Sequence, residues 1–428
     1  MIYNIKDINT NLKGLEKMKA VMYGAGNIGR GFIGQRFYVS GYHTTFIDVN
    51  AAVVDALNKE GKYPIYVTHG TEYVPEWVEN LDAVNGRDED AVVKAISETD
   101  IMATALGVNI LPFVAPLIAK AIAERMKKDA RPLNILICEN LIGSNTYLHG
   151  LVEKYITDDV RDYFDTKIGF VCVSVGRTVP PTPAKFLEKY PLAVCAEPYS
   201  ELPVDLAGFR PLPENGQSVE LPKIEGLVAF TPFSFFIERK LLIHNMGHAL
   251  MAYLAYQKHY GYIFEAACDG EIKYILTRAL IESARALSKR HGAPLDDTLQ
   301  FVEDLMVRFE NKLLVDTLVR VGKDTKRKLG PNDRLVGAFK CVREQGGVPA
   351  HIAVGIAAGY LFDDPQDSIA VEVSTFAKQN GIEAALAKYS EITDAADVAM
   401  IKTFYDMFVR KAPFPEFVET LAAMKSTH

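Results

Sequence analysis

Apolar and polar positions change their period along the chain. From Lys19 to about residue 180, short apolar runs alternate with amphipathic stretches. "MKAVMYGAG", entering a glycine turn, "HTTFIDVN", "IMATAL", "PLNILICEN" and "KIGFVCVSVGRTV" read as strands. Between them, Ile28, Phe32, Ile33 and Phe37 share one helical face, and helical spacing returns at 51–60, "DAVVKAISETD", "LPFVAPLIAKAIAERMKK" and "SNTYLHGLVEKYI". The polar segment up to about residue 90 reads as turns. This alternation predicts a parallel, doubly wound α/β sheet. From Pro180 to Pro232 prolines are dense, which predicts an irregular or antiparallel connection. Beyond 238 the chain is helical in period, over 240–260, 265–291, 297–310 and 334–346. The expected layout is an extension at 1–17, an α/β domain at 18–210 and a mainly helical domain at 211–428.

The turn after the first strand carries chemistry. "GAGNIG" sets Gly24, Gly26 and Gly29 in GxGxxG spacing. The first glycine allows a tight turn, the second lets backbone approach a pyrophosphate, and the third lets the helix pack on the strand. Asn27 and Ile28 open the helix, whose free N–H groups suit phosphate. The next strand ends on Asp48, a carboxylate placed to accept from ribose hydroxyls. No Arg or Lys follows it until Lys59, so the pattern favours NAD over NADP in a Rossmann-type domain. Arg30, just past the turn, suits either a phosphate or solvent.

Composition narrows the function classes. A net charge of −7 disfavours a nucleic-acid or anionic-membrane surface. No apolar run approaches the roughly 20 residues of a membrane span, and the first residues lack a signal-peptide core. The five cysteines, Cys138, Cys172, Cys195, Cys268 and Cys341, never form CxxC. That spacing fits buried thiols in a reducing cytoplasm, without a disulfide framework or a zinc site. An anionic substrate would need a local basic patch, and one exists at 320–334. Arg320, Lys323, Lys326, Arg327, Lys328 and Arg334 stand there against Asp324 and Asp333. Arg and Lys in such a patch suit a phosphate monoester, although a solvated loop carries the same charges.

"ERKLLIHNMGHALMAYL" opens the helical half. At roughly 100° per residue, Lys240, His244 and His248 fall within about 80° of each other, with Asn245 at about 140°. Apolar side chains fill the opposite arc. A lysine with a lowered pKa can serve as general base for an alcohol, and an asparagine can donate to the developing oxyanion. An ordinary surface face is the plainer reading of the same residues.

The Lys240, Asn245 and His248 set is similar to the signature of the polyol-specific long-chain dehydrogenases. "GAGNIGRGFIG", "AEPYSELPVD", "RFEN", "RVGKDTKRKLGPNDRL" and "GIAAG" extend that resemblance from about Met18 to beyond residue 360. The resemblance implies a metal-independent, NAD-linked interconversion of D-mannitol 1-phosphate and D-fructose 6-phosphate. It implies Lys240 as general base, Asn245 and Asn140 (in "CEN") as oxyanion donors, and His248 on a substrate hydroxyl. Arg320 and Lys328 match the family's substrate-binding pair, and the basic patch adds Arg327. Residues 1–17 precede the family's usual start, and "PENGQSVELPK" at 213–223 reads as an insertion. The expected partner is a small sugar phosphate, for a cytoplasmic monomer or small homo-oligomer without nucleic-acid or membrane ligands. Another polyol or uronate dehydrogenase of the family, such as a mannitol 2-dehydrogenase or tagaturonate reductase, remains open. So does a nucleotide-binding regulator without turnover.

Overall fold

A computed structural model describes residues 18–212 and 220–426. The 1–17 extension and most of the 213–223 stretch lie outside the described residues. The chain divides into two compact units between Phe233 and Ser234.

The strands in chain order are β1 Lys19–Tyr23, β2 His43–Asp48, β3 Tyr63–His69, β4 Glu72–Val78, β5 Leu81–Asn85, β6 Ile101–Thr104, β7 Leu133–Ile137, β8 Ile168–Cys172, β9 Val194–Ala196, β10 Leu202–Asp205 and β11 Leu227–Phe230. Six of them form one sheet in the order β5-β2-β1-β6-β7-β8. All of its pairings are parallel. Chain order reverses between β1 and β6, so the carboxyl end of β1 opens at a topological switch point, where such sheets bind ligands.

Alternation along the strands feeds two cores. Ala20 and Met22 of β1 join Phe32, Phe37 and Phe46 on one face. Val21 and Tyr23 join Leu111, Ile118 and Ile135 on the other. Burial on both faces explains why the strands read as continuous apolar runs.

Two segments depart from the sequence expectation. The stretch read as turns before residue 90 holds β3, β4 and β5. β4 is mostly exposed, so it lacks an apolar run, and Gly70, at φ +60°, separates it from β3. The proline-rich stretch pairs β10 with β11 in parallel rather than antiparallel fashion. That pairing ties the segment to the first unit.

The second unit is helical. Its core joins the 246–257, 270–291, 334–344 and 350–359 helices through Leu250, Leu276, Leu280, Phe339 and Ile352. Among the described residues, no helix is long and apolar enough to cross a membrane.

Candidate active site

In the first unit, the glycines have separate physical roles. Gly24 has φ +106°, and a Cβ there would lie 2.6 Å from the Ala105 carbonyl oxygen. A Cβ on Gly29 would lie 1.9 Å from the Gly24 oxygen, which only glycine avoids. A Cβ on Gly26 would meet nothing within 4 Å. The backbone is therefore open on that side, which leaves room for a ligand. Asn27 is exposed, while Ile28 packs on the core. Gly29–Ile33 forms a π turn in which Gly34 N–H donates to Gly29 O, five residues back. Such widened turns recur at functional sites.

Asp48 accepts from Ala25 N–H at 2.8 Å through Oδ2 and from Asn50 N–H at 2.9 Å through Oδ1. It thus braces the glycine turn, while each oxygen keeps capacity for a further donor. Arg30 donates to the Ala25 carbonyl at 2.7 Å and to the Leu192 carbonyl. Its guanidinium pins the turn to the segment before β9, a use that neither sequence alternative contained. Beyond β7, buried Glu139 accepts from Thr104 Oγ1 at 2.7 Å and Leu106 N–H at 2.9 Å. It clasps the carboxyl ends of β6 and β7 and presents exposed Asn140 on the same sheet edge as the glycine turn. The sequence reading passed over Glu139 although it precedes Asn140.

In the second unit, Lys240–Asn245 is not α-helical. It is a π turn between the Ser234–Arg239 and Met246–Gln257 helices, with Met246 N–H donating to Leu241 O. A five-residue repeat brings Lys240 and Asn245 to one side of the helix, whereas regular geometry separates them by about 140°. This corrects the helical wheel, and it does so in favour of a shared site. Fully buried Ser283 locks the wide turn by donating to Leu242 O at 2.7 Å. Gly247 lets the helix close on its neighbour, since a Cβ would sit 2.8 Å from Leu280.

Past the turn, His248 stacks on Phe309, with ring centroids 5.5 Å apart at 23°. His244 meets the edge of the same ring. Burial, with the charges of Arg308, His248, Lys240 and Arg334, holds His244 well below the usual imidazole range. It is a neutral spacer on the polar face.

His248 Nε2 lies 3.0 Å from Asp316 Oδ2. Asp316 was absent from the sequence reading. Its other oxygen, Oδ1, accepts from Arg320 Nε at 2.6 Å and Nη2 at 2.5 Å. Burial pulls the Asp316 carboxyl upward, but hydrogen bonds and charge from His248 and Arg320 hold it below the carboxylate range.

The basic patch is less uniform than its charge count. Arg327, half exposed, is paired with Asp324 and Asp333. Arg334 is paired with Asp333 as well. Lys328 is 5% exposed and donates to the carbonyls of Val321 and Lys323. Burial, reinforced by Arg334 and Arg327, lowers its amine to about 7. The structure therefore places Lys240 and Asn245 at the two ends of one π turn just before His248 and links Arg320 to His248 through Asp316. It sets Arg327 outward and Lys328 inward, on one short helical turn, Thr325–Lys328.

Residues 18–213 match the Mannitol dehydrogenase Rossmann domain, and residues 233–409 match the Mannitol dehydrogenase C-terminal domain. A mannitol-1-phosphate 5-dehydrogenase of Geobacillus thermodenitrificans is 37% identical over 380 residues, 88% of this chain and 95% of that one. One from Brevibacillus brevis is 40% identical over 371 residues, 86% and 92% of the two chains. A D-sorbitol dehydrogenase crystal structure superposes with TM-score 0.77 at 14% identity, covering 95% of each chain. Pseudomonas fluorescens mannitol 2-dehydrogenase, solved with NAD and D-mannitol, gives 0.66 at 16% identity, covering 99% of this chain and 95% of that one. On its two family domains and its relatives across most of their length, the chain belongs to the mannitol dehydrogenase family.

Proposed function

We propose that the chain is a cytoplasmic, NAD-dependent dehydrogenase interconverting D-mannitol 1-phosphate and D-fructose 6-phosphate. The observation that carries this reading is the π turn, which sets Lys240 and Asn245 on one side of the helix just before His248. The names of the relatives support the choice of substrate. The open backbone at Gly26 and the Asp48 carboxylate fit a dinucleotide.

NAD, when bound, supplies the hydride chemistry. The chain's own residues handle the oxygen. In ketone reduction, Lys240 Nζ gives a proton to the carbonyl oxygen as it gains charge; in alcohol oxidation the neutral amine removes it. Asn245 donates to that oxygen and stabilises the oxyanion as it forms. His248 holds a neighbouring hydroxyl. Arg320 takes the phosphate end through the N–H groups that Asp316 leaves it, and buried Lys328 contributes its charge from its place on the Val321 and Lys323 carbonyls.

The test is NADH oxidation with fructose 6-phosphate, fructose and tagaturonate in parallel. Turnover with fructose 6-phosphate at a kcat/KM at least about 100-fold above fructose is expected, since a phosphate bound by charge-assisted hydrogen bonds contributes on the order of 3 kcal/mol. Equal use of fructose would assign the chain to an unphosphorylated polyol. NADH binding without turnover on any of them would favour the regulator.

Lys328 adds a pH dependence. With its amine lowered to about 7, it is charged below that pH and neutral above it. Attraction for phosphate is therefore lost as pH rises through 7. The KM for fructose 6-phosphate should climb severalfold from about pH 6.5 to 8.5, and the climb should vanish in Lys328→Met. A native enzyme whose KM does not move over that interval removes Lys328 from the phosphate site.

A further inference from the structure

We propose that Asp316 is the positioning residue of this site, a single carboxylate that holds the hydroxyl-binding and phosphate-binding side chains in register. The inference rests on the reading in which His248 and Arg320 meet substrate. Asp316 is 68 residues from His248 in sequence, yet one carboxylate joins His248, on the 246–257 helix, to Arg320, on the 318–322 helix.

The carboxylate stands on a fixed base. Ile263 N–H donates to the Asp316 carbonyl at 2.9 Å, and Leu318 N–H donates to Gly261 O at 3.0 Å. Thr317 next to it bridges Tyr262 and caps the 318–322 helix. The Asp316 side chain is only 10% exposed, against 22% for His248 and 55% for Arg320. The buried member is thus the anchor, and the two more open side chains are the ones it aims.

Its chemistry sets both partners. Facing the Asp316 carboxylate at 3.0 Å, Nε2 carries the proton and donates whenever the His248 imidazole is neutral. Nδ1 is then an acceptor, suited to a substrate hydroxyl proton. Phe309, stacked on the ring, restricts its rotation. On the other side, Oδ1 uses two of the five guanidinium donors of Arg320. Three remain for phosphate oxygens, and the direction of the fork is fixed before substrate arrives. Such preorganisation lowers the ordering cost of binding.

The experiment is steady-state kinetics of Asp316→Asn, His248→Ala, Arg320→Ala and the double variant H248A/D316N, with NADH affinity measured by fluorescence. Asp316→Asn should raise the KM for fructose 6-phosphate at least tenfold, lower kcat less, and leave NADH affinity unchanged. Asp316→Glu should recover part of the loss. In the double variant the two effects should fall well short of multiplying, because His248 can no longer be aimed. A purely structural aspartate would instead give multiplying effects, or an unchanged KM with a lowered melting temperature, and either would overturn the proposal. If His248→Ala and Arg320→Ala leave KM unchanged, the reading of the site itself falls. If those two raise KM and Asp316→Asn does not, only the positioning role falls.

Discussion

Lys240→Ala is expected to lower kcat with fructose 6-phosphate by about 10²- to 10⁴-fold, the usual contribution of a positioned acid or base. NADH affinity should not change, because the glycine turn and Asp48 belong to the other unit. The substitution removes the one amine of the polar face formed by Lys240, His244, Asn245 and His248. Lys240→Arg should fare no better. It keeps the charge, but a guanidinium cannot release its proton in a protein. Asn245→Ala should cost about 10²- to 10³-fold in kcat, the range for losing one oxyanion donor. Single-turnover measurement of NADH loss checks all three without interference from product release. Turnover of Lys240→Ala within tenfold of the native enzyme would assign the proton to another group.

How far these residues could be read from sequence depended on the range of the contacts involved. The glycine turn and Asp48 are local to strand–turn–helix, and the steric environment of Gly24 and Gly29 matches what their spacing implied. The α/β and helical halves followed from period alone. β4 did not, because an exposed strand has no apolar period to detect. The parallel β10–β11 pair is set by long-range pairing, and prolines mark only where regular structure is interrupted.

The wide turn at Lys240 is the more instructive case. A change from i+4 to i+5 bonding leaves no mark in a hydrophobic pattern, so the wheel set Asn245 on the polar face but about 140° from Lys240. What sustains the turn is Ser283, about 40 residues away in sequence and on a different helix. Asp316 escaped for the same reason with respect to His248. Its i,i+4 spacing to Arg320, however, was visible in "DTLVR". Counting charges in 320–334 found the patch but not its interior. Arg327 already has two carboxylates, and Lys328 folds inward onto main-chain carbonyls.

Gly29→Ala and Gly26→Ala should separate two effects that the glycine motif combines. In Gly29→Ala the new methyl would stand 1.9 Å from the Gly24 carbonyl oxygen, a backbone atom that cannot swing aside. The turn must open, and Asp48 would lose its hold on Ala25 N–H. NADH affinity should fall at least about 100-fold, and melting of the first unit should drop as well, since a backbone clash belongs with the strongly destabilising substitutions. In Gly26→Ala the methyl points into open space, so folding and melting temperature should match the native chain. Yet that space is where a pyrophosphate would approach the backbone. NADH affinity should therefore fall about tenfold or more with no loss of stability. Calorimetric melting without nucleotide, paired with NADH titration, reads both quantities on each variant. If Gly26→Ala binds NADH like the native chain, the nucleotide does not lie against this turn, and the NAD assignment fails with it. If Gly29→Ala binds and melts normally, the turn can relax in a way its tight contacts exclude.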